Sequence, residues 1–361
     1  MNLTPSKIKE FRLNRSLSLQ QLADLAGLSK ASIQQYEDAT TRPSTKALMA
    51  IADALNVGLW EFFSTRELKL ELAEFRHGEK LDDSETERLH IHERIIGYSQ
   101  SYVELEQLLG MQVDFVNPIA DMCVADYAGA EEAAVKLRKK WKLYHLPIDD
   151  ICGTLEERGF KIVTIDRQTE SPGICGFITE DGHNIPFIII NINSEHTREI
   201  TRKRFTLVHE LAHLCIRFAD SVDAELKEKL CNRFGSAFLL PAEVLRDFLG
   251  SGRISISLEE LRELKEIYGL SVMSIIYRAA EINLVDQATC QRWIDLYNSW
   301  YMEGKKFGTF IKSGEEPVRL KRLISRALAE NRITREKVHE LFGVPLDRID
   351  ERFGVDNLNL L

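Results

Sequence analysis

The chain has 361 residues, 44% of them hydrophobic and 29% charged, with a net charge of −9. That length accommodates two or three compact domains, and the ordinary apolar content excludes a disordered tail. No apolar run reaches the length that spans a bilayer, and the N-terminus lacks the charged-then-apolar pattern of a secretory signal, so a cytosolic protein without a membrane partner is expected.

The negative charge argues against a protein that coats nucleic acid without selectivity. It is unevenly spread, however: residues 1–64 carry seven Lys/Arg against six Asp/Glu, so the rest of the chain holds about −10. That asymmetry permits DNA contact at the N-terminus alone. The six cysteines, from Cys123 to Cys290, include no CxxC pair. Reduced, mostly buried thiols are expected, not a disulfide framework or a thiolate metal site.

Residues 4–63 alternate short helical patterns with turn chemistry. Ser18 followed by Gln21 has capping-box spacing. Leu22, Leu25 and Ala26 form an apolar stripe that Gly27 ends. Ser29 caps a second helix bearing Ile33 and Tyr36, and Ser44 caps a third bearing Leu48, Ile51, Ala52 and Leu55. Two helices joined at Gly27 match the motif that seats a recognition helix in the major groove. The run Leu-Gln-Gln-Leu-Ala-Asp-Leu-Ala-Gly-Leu-Ser-Lys-Ala-Ser-Ile-Gln-Gln-Tyr-Glu over residues 19–37, with Arg42-Pro43-Ser44, closely resembles the Xre/lambda-repressor type of helix-turn-helix. The resemblance implies that Ser29, Lys30, Ser32, Gln34 and Gln35 face the bases and phosphates of a double-stranded DNA operator. Leu19 stands where many members carry a backbone-clamping Gln.

Residues 65–129 read as a charged, helical connector. Ile91, Ile95, Tyr98, Tyr102, Leu105 and Leu109 recur at steps of four and three. This seam either packs on its own domain or makes the dimer contact that would suit a reader of two half-sites.

From residue 130 the pattern turns to mixed α/β, assigned here as a domain over 130–284. Residues 131–141 and 147–158 read as helices, with Gly159 as a stop, and 160–165 alternate like a strand. Residues 173–192 read as a hairpin turning at Asp181-Gly182, and 201–218 have helical apolar spacing. On that last helix His209-Glu210-Leu211-Ala212-His213 puts two imidazoles one turn apart on one face, where both reach a single metal ion. Glu210 projects near the same edge, where it can take a proton from metal-bound water. A third protein ligand is needed, and Asp220, Asp223, Glu225 and Glu228 are the candidates.

Glu228-Lys229-Leu230-Cys231-Asn232 resembles the ExxAN segment of zinc peptidases with a glutamate third ligand, which favours Glu228 over the runner-up Glu225. More widely, Arg-Phe-Thr-Leu-Val-His-Glu-Leu-Ala-His-Leu over 204–214 resembles the ImmA/IrrE metallopeptidases. So do Asn-Arg-Phe-Gly-Ser-Ala-Phe-Leu-Leu-Pro ending at Pro241, Leu270-Ser271-Val272 and Tyr277-Arg278. Cys231, Gly235 and Arg217 depart from the usual residues without removing a ligand or base. The resemblance implies an α+β, zincin-like (gluzincin-type) domain holding Zn2+ on His209, His213 and Glu228, with Glu210 as the catalytic base. It further implies a protein substrate, typically a helix-turn-helix repressor. Residues 186–191 fit the family's edge strand, so residues 185–192 are expected to pair with an extended substrate.

Residues 285–361 form a helical C-terminal region. Trp293, Tyr297 and Trp300 sit at core spacing, and 320–328 with 334–342 form a helix pair faintly like a second helix-turn-helix, expected to pack against the peptidase domain, with a second DNA reader or substrate clamp as the alternative. The fold expected is therefore multidomain: an all-α reader, a zincin-like α+β domain and a helical end. The rival to a peptidase is a non-proteolytic regulator whose zinc fold senses a ligand or binds a partner.

Overall fold

The computed structural model describes residues 5–15, 17–55, 57, 62, 69–73, 85–165, 172–180, 183–250, 252–342 and 344–354. The chain divides into two compact units, one of Met1–Leu68 with Ile333–Arg352, the other of Lys69–Arg332 with Phe353–Leu361.

In the smaller unit α1 (Pro5–Asn14), α2 (Leu19–Ala26), α3 (Lys30–Glu37) and α4 (Thr45–Leu55) enclose a core of Ile8, Leu22, Ile33, Ile51 and Leu55. The caps are those the sequence spelled out. Ser18 and Gln21 exchange hydrogen bonds at 3.2 and 2.8 Å, Gly27 ends α2 in the left-handed region at φ +62°, and Ser29 caps α3. Arg12 clamps Glu37 through two bonds of 2.6 and 2.7 Å, tying α1 to α3.

The larger unit opens with β1 (Lys69–Ala73) and α5 (Glu85–Leu109), followed by β2 (Cys123–Val124), α6 (Tyr127–Lys140), α7 (Ile151–Glu156) and β3 (Lys161–Ile165). Next come β4 (Gly173–Glu180), β5 (His183–Asn191), α8 (Glu195–Arg198), α9 (Ile200–Cys215), β6 (Arg217–Phe218) and α10 (Ala224–Leu239). The mixed sheet runs β1-β4-β5-β3, with β3 parallel and β4 antiparallel to β5 and β1 antiparallel to β4. α9 packs against β4 and β5, and α10 packs on α9 and α6. Nearly every residue of α9 from Thr201 onward is therefore buried. α11 (Ala242–Leu249), α12 (Leu258–Tyr268), α13 (Val272–Glu281) and α14 (Gln287–Met302) extend the same core, which takes in Trp293 and Trp300.

Several expectations are corrected. The connector is not helical throughout, because β1 pairs with β4 inside it. A five-residue edge strand carries little period of its own, so only its partner reveals it. α7 covers half of the helix read over 147–158, and α9 stops at Cys215 because Arg217–Phe218 pairs in parallel with β2. The hairpin turn at Asp181-Gly182, the side chains of Ile91 and Ile95, and Gly343 lie outside the described residues. Tyr102 and Leu105 of the connector seam are buried in the larger unit, where α5 packs on α15 (Arg319–Ala329). α16 (Arg335–Phe342) and α17 (Ile349–Phe353) follow. α15 and α16 fall in different units, which removes the reading of the pair as one second motif. Among the described residues no helix is long and apolar enough to cross a membrane. None of the six cysteines forms a disulfide, and five of them are buried.

A buried polar cluster ties α5, α7, β3 and α15 together. Glu106 accepts from Lys161 at 2.7 Å and from Arg319 at 3.0 Å. Glu156 accepts the backbone N–H groups of Val318 and Arg319 at the head of α15. Burial pushes the Glu156 carboxyl up to about 7, against the opposing pull of those two N–H groups. A carboxyl raised in the fold takes up a proton on folding, so its contribution to stability declines as pH rises from about 4.5 through about 7. Glu156→Gln keeps an acceptor for both N–H groups and loses the titration. Urea melts across pH 5–8 are expected to fall less steeply for the variant, and parallel curves would refute the assignment.

Candidate metal centre

α9 delivers the two imidazoles. Glu199 caps its first turn, and its apolar positions lock onto the sheet and α10, so the rotation of the helix is fixed. His209 and His213 then emerge on one side with ring centroids 4.9 Å apart and their Nε2 atoms 3.1 Å apart. α10, capped by Asp223, brings Glu228 from the facing side. One carboxylate oxygen lies 3.1 Å from His209 Nε2 and the other 3.1 Å from His213 Nε2.

The donor set fits a divalent cation. His209 Nδ1 lies 2.9 Å from Asn232 Oδ1, an atom that only accepts, so the ring proton sits on Nδ1 and the Nε2 lone pair faces inward. His209 Nε2 and the facing Glu228 oxygen thus bring lone pairs together at one point, where a cation would join them. Tetrahedral zinc with bonds of 2.0–2.1 Å sets its ligands about 3.3 Å apart, close to the spacing found. No other cluster of three such groups is found among the described residues.

Asn232 is the residue the motif contained without a role. Four positions after Glu228 on α10, it presents to the same side and holds the His209 ring in the orientation a metal ligand would need. Asn232→Ala is expected to weaken zinc binding about 10–100-fold in a chelator-competition titration, whereas Asn232→Asp keeps the acceptor and most of the affinity. Equal affinity for Asn232→Ala would remove that role.

Glu210 is 4% exposed and packs beneath the first residues of β4. A Cβ placed on Gly173 would stand 2.9 Å from Glu210 Oε1 and from Thr206 Cγ2, so only glycine lets strand and helix approach this closely. Burial, with the Glu210 charge nearby, pushes the Cys175 thiol well up. The remaining ligand candidates point elsewhere: Asp223 is a helix cap, Glu225 pairs with Lys229 at 2.5 Å, and Asp220 is exposed.

The expected substrate strand is corrected. β5 is interior: its residues 187–190 pair with β3 on one side and β4 on the other and have no edge to offer. The β3 ladder begins at Phe187, one residue beyond Pro186, whose missing N–H could not serve it. In the N-terminal unit Lys30, Gln34 and Gln35 are exposed on α3. The Ser29 and Ser32 hydroxyls lie 2.8 Å apart in the helix cap, which leaves them less free to meet a base.

Comparison with known proteins separates the two units. Residues 158–280 match a peptidase family described as the IrrE N-terminal-like domain, and residues 8–62 match the helix-turn-helix family. Those matched segments contain every ligand, base and DNA-facing candidate named above. Among solved structures, the crystal structure of Bacillus thuringiensis PlcR in complex with the peptide PapR7 and DNA is similar at 10% identity. The match covers 98% of this chain and 95% of that one, and its TM-score of 0.18 carries no architectural argument. No curated protein matches the chain.

Proposed function

We propose that this chain, which joins an Xre-type helix-turn-helix domain to an IrrE-like peptidase domain, is a DNA-binding regulator that hydrolyses a peptide bond in another regulatory protein. The observation that carries the reading is the convergence of His209, His213 and Glu228, with Glu210 next to His209 in the chain. Zinc bound there would polarise the scissile carbonyl and acidify a water molecule. Glu210 accepts the proton of the attacking water and returns it to the leaving amine. Asn232 keeps the His209 ring turned toward the ligand point. The low exposure of the site favours one specific protein over general peptides, and a helix-turn-helix repressor is the substrate class proposed.

Lys30, Gln34 and Gln35, with Ser29 and Ser32 at the helix head, form the proposed operator-reading face: the amides for adenine edges, the lysine for phosphate or guanine. A homodimer on two half-sites fits this architecture. A second reading, in which the zinc fold only senses or binds a partner, draws on the burial of Glu210, since a base must meet water. Incubating the zinc-loaded protein with full-length repressors encoded beside it, and sequencing the fragments by mass spectrometry, tests the proposal. If every such repressor stays intact while operator binding persists, the second reading replaces the first.

A further inference from the structure

We propose that β1 occupies, in cis, the strand position that an extended substrate takes during hydrolysis, so that the protein is latent until this strand is displaced. The inference rests on the peptidase reading of the site.

A peptide to be cut must run alongside Glu210 and the three ligands. β4 is the strand that touches this spot: Gly173 sits against Glu210, and Cys175 follows two residues along the same strand. One edge of β4 belongs to β5. The other is filled by β1, antiparallel, from Lys69 opposite Thr179 to Ala73 opposite Cys175. The β1 ladder therefore ends two residues along β4 from Gly173, which sits against the proposed base. A peptide adding outside β1 would stand two strand spacings, about 10 Å, from β4, too far to be positioned by it. Substrate and β1 thus compete for one edge.

Two further observations agree. Glu210 is nearly sealed although its proposed task is to take a proton from water. The ladders β4-β5 and β5-β3 are complete without β1, so its departure need not dismantle the sheet. β1 also begins at the residue after the DNA-binding unit ends, at Leu68. A covalent link of this kind can carry a change in that unit to the β4 edge. The substrate it admits is an extended segment that pairs backbone to backbone, antiparallel to β4.

Glu71→Pro/Leu72→Pro in the full chain removes a ladder N–H whichever of the two faces β4. Backbone amides of β4 are expected to exchange at least tenfold faster while those of β5 stay protected. A fluorescent peptide of residues 67–75 should bind the variant at least tenfold more tightly than the wild type, and cleavage of a repressor should rise in step. Unchanged β4 exchange, or equal peptide affinity, overturns the proposal. Should the proline variant fail to fold, Lys69→Cys/Thr179→Cys provides the converse test. Oxidation must abolish peptide binding and reduction restore it, and indifference to redox state overturns the proposal. If peptide binding follows β1 while no variant cleaves any repressor, the strand exchange stands and the hydrolytic reading fails.

Discussion

Glu210→Gln is expected to reduce cleavage of a protein substrate by about 10²–10⁴-fold while leaving zinc stoichiometry at one per chain. Gln keeps the volume of the side chain, so the packing beneath Gly173 survives. It cannot accept the proton of water. The three ligands are untouched, which separates this variant from Glu228→Ala, where metal and activity should disappear together. A purely structural or sensory site needs its ligands and not its base. Turnover in Glu210→Gln equal to wild type, measured with zinc bound, would therefore end the proposal that this residue is the general base.

Glu315→Ala should produce the largest loss of stability, about 3–5 kcal/mol in denaturant unfolding. Glu315 is fully buried, pairs with Arg204 and accepts the N–H groups of Ile151 and Cys152 at 2.8 and 2.9 Å. Burial pushes its carboxyl up and the Arg204 guanidinium down, so attraction within the pair only partly offsets the loss of water. Removing one partner leaves the other charge buried without its counterion and the head of α7 uncapped. Because Arg204 stands on α9 five residues before His209, the same variant should loosen the helix that carries both imidazoles. Arg204→Met/Glu315→Leu is expected to cost less than Glu315→Ala alone, because no unpaired charge remains. A loss below 1 kcal/mol for Glu315→Ala would show that Arg204 finds other acceptors, and the carbonyls of Ile148 and Tyr268 are near enough to serve.

The residues that perform chemistry in this reading were visible in the chain because each lies in a local pattern. A helix repeats every 3.6 residues, so His209 and His213 had to share a face before any tertiary contact was known. The caps at Ser18, Ser29 and Asp223 act within three residues. The return of a distant glutamate to those histidines was legible only through resemblance, since nothing local separates Glu228 from Glu225.

What the sequence determined by itself, then, is the short-range part: which helices form, where they are capped, and which imidazoles face together. The tertiary structure alone decided which strand is an edge, that Lys69–Ala73 is a strand at all, that Asn232 aligns His209, and that Glu210 is sealed beneath Gly173. Strand order and burial are relations between segments far apart in the chain. The alternation within one strand says which way its side chains point, but not what lies along its edges.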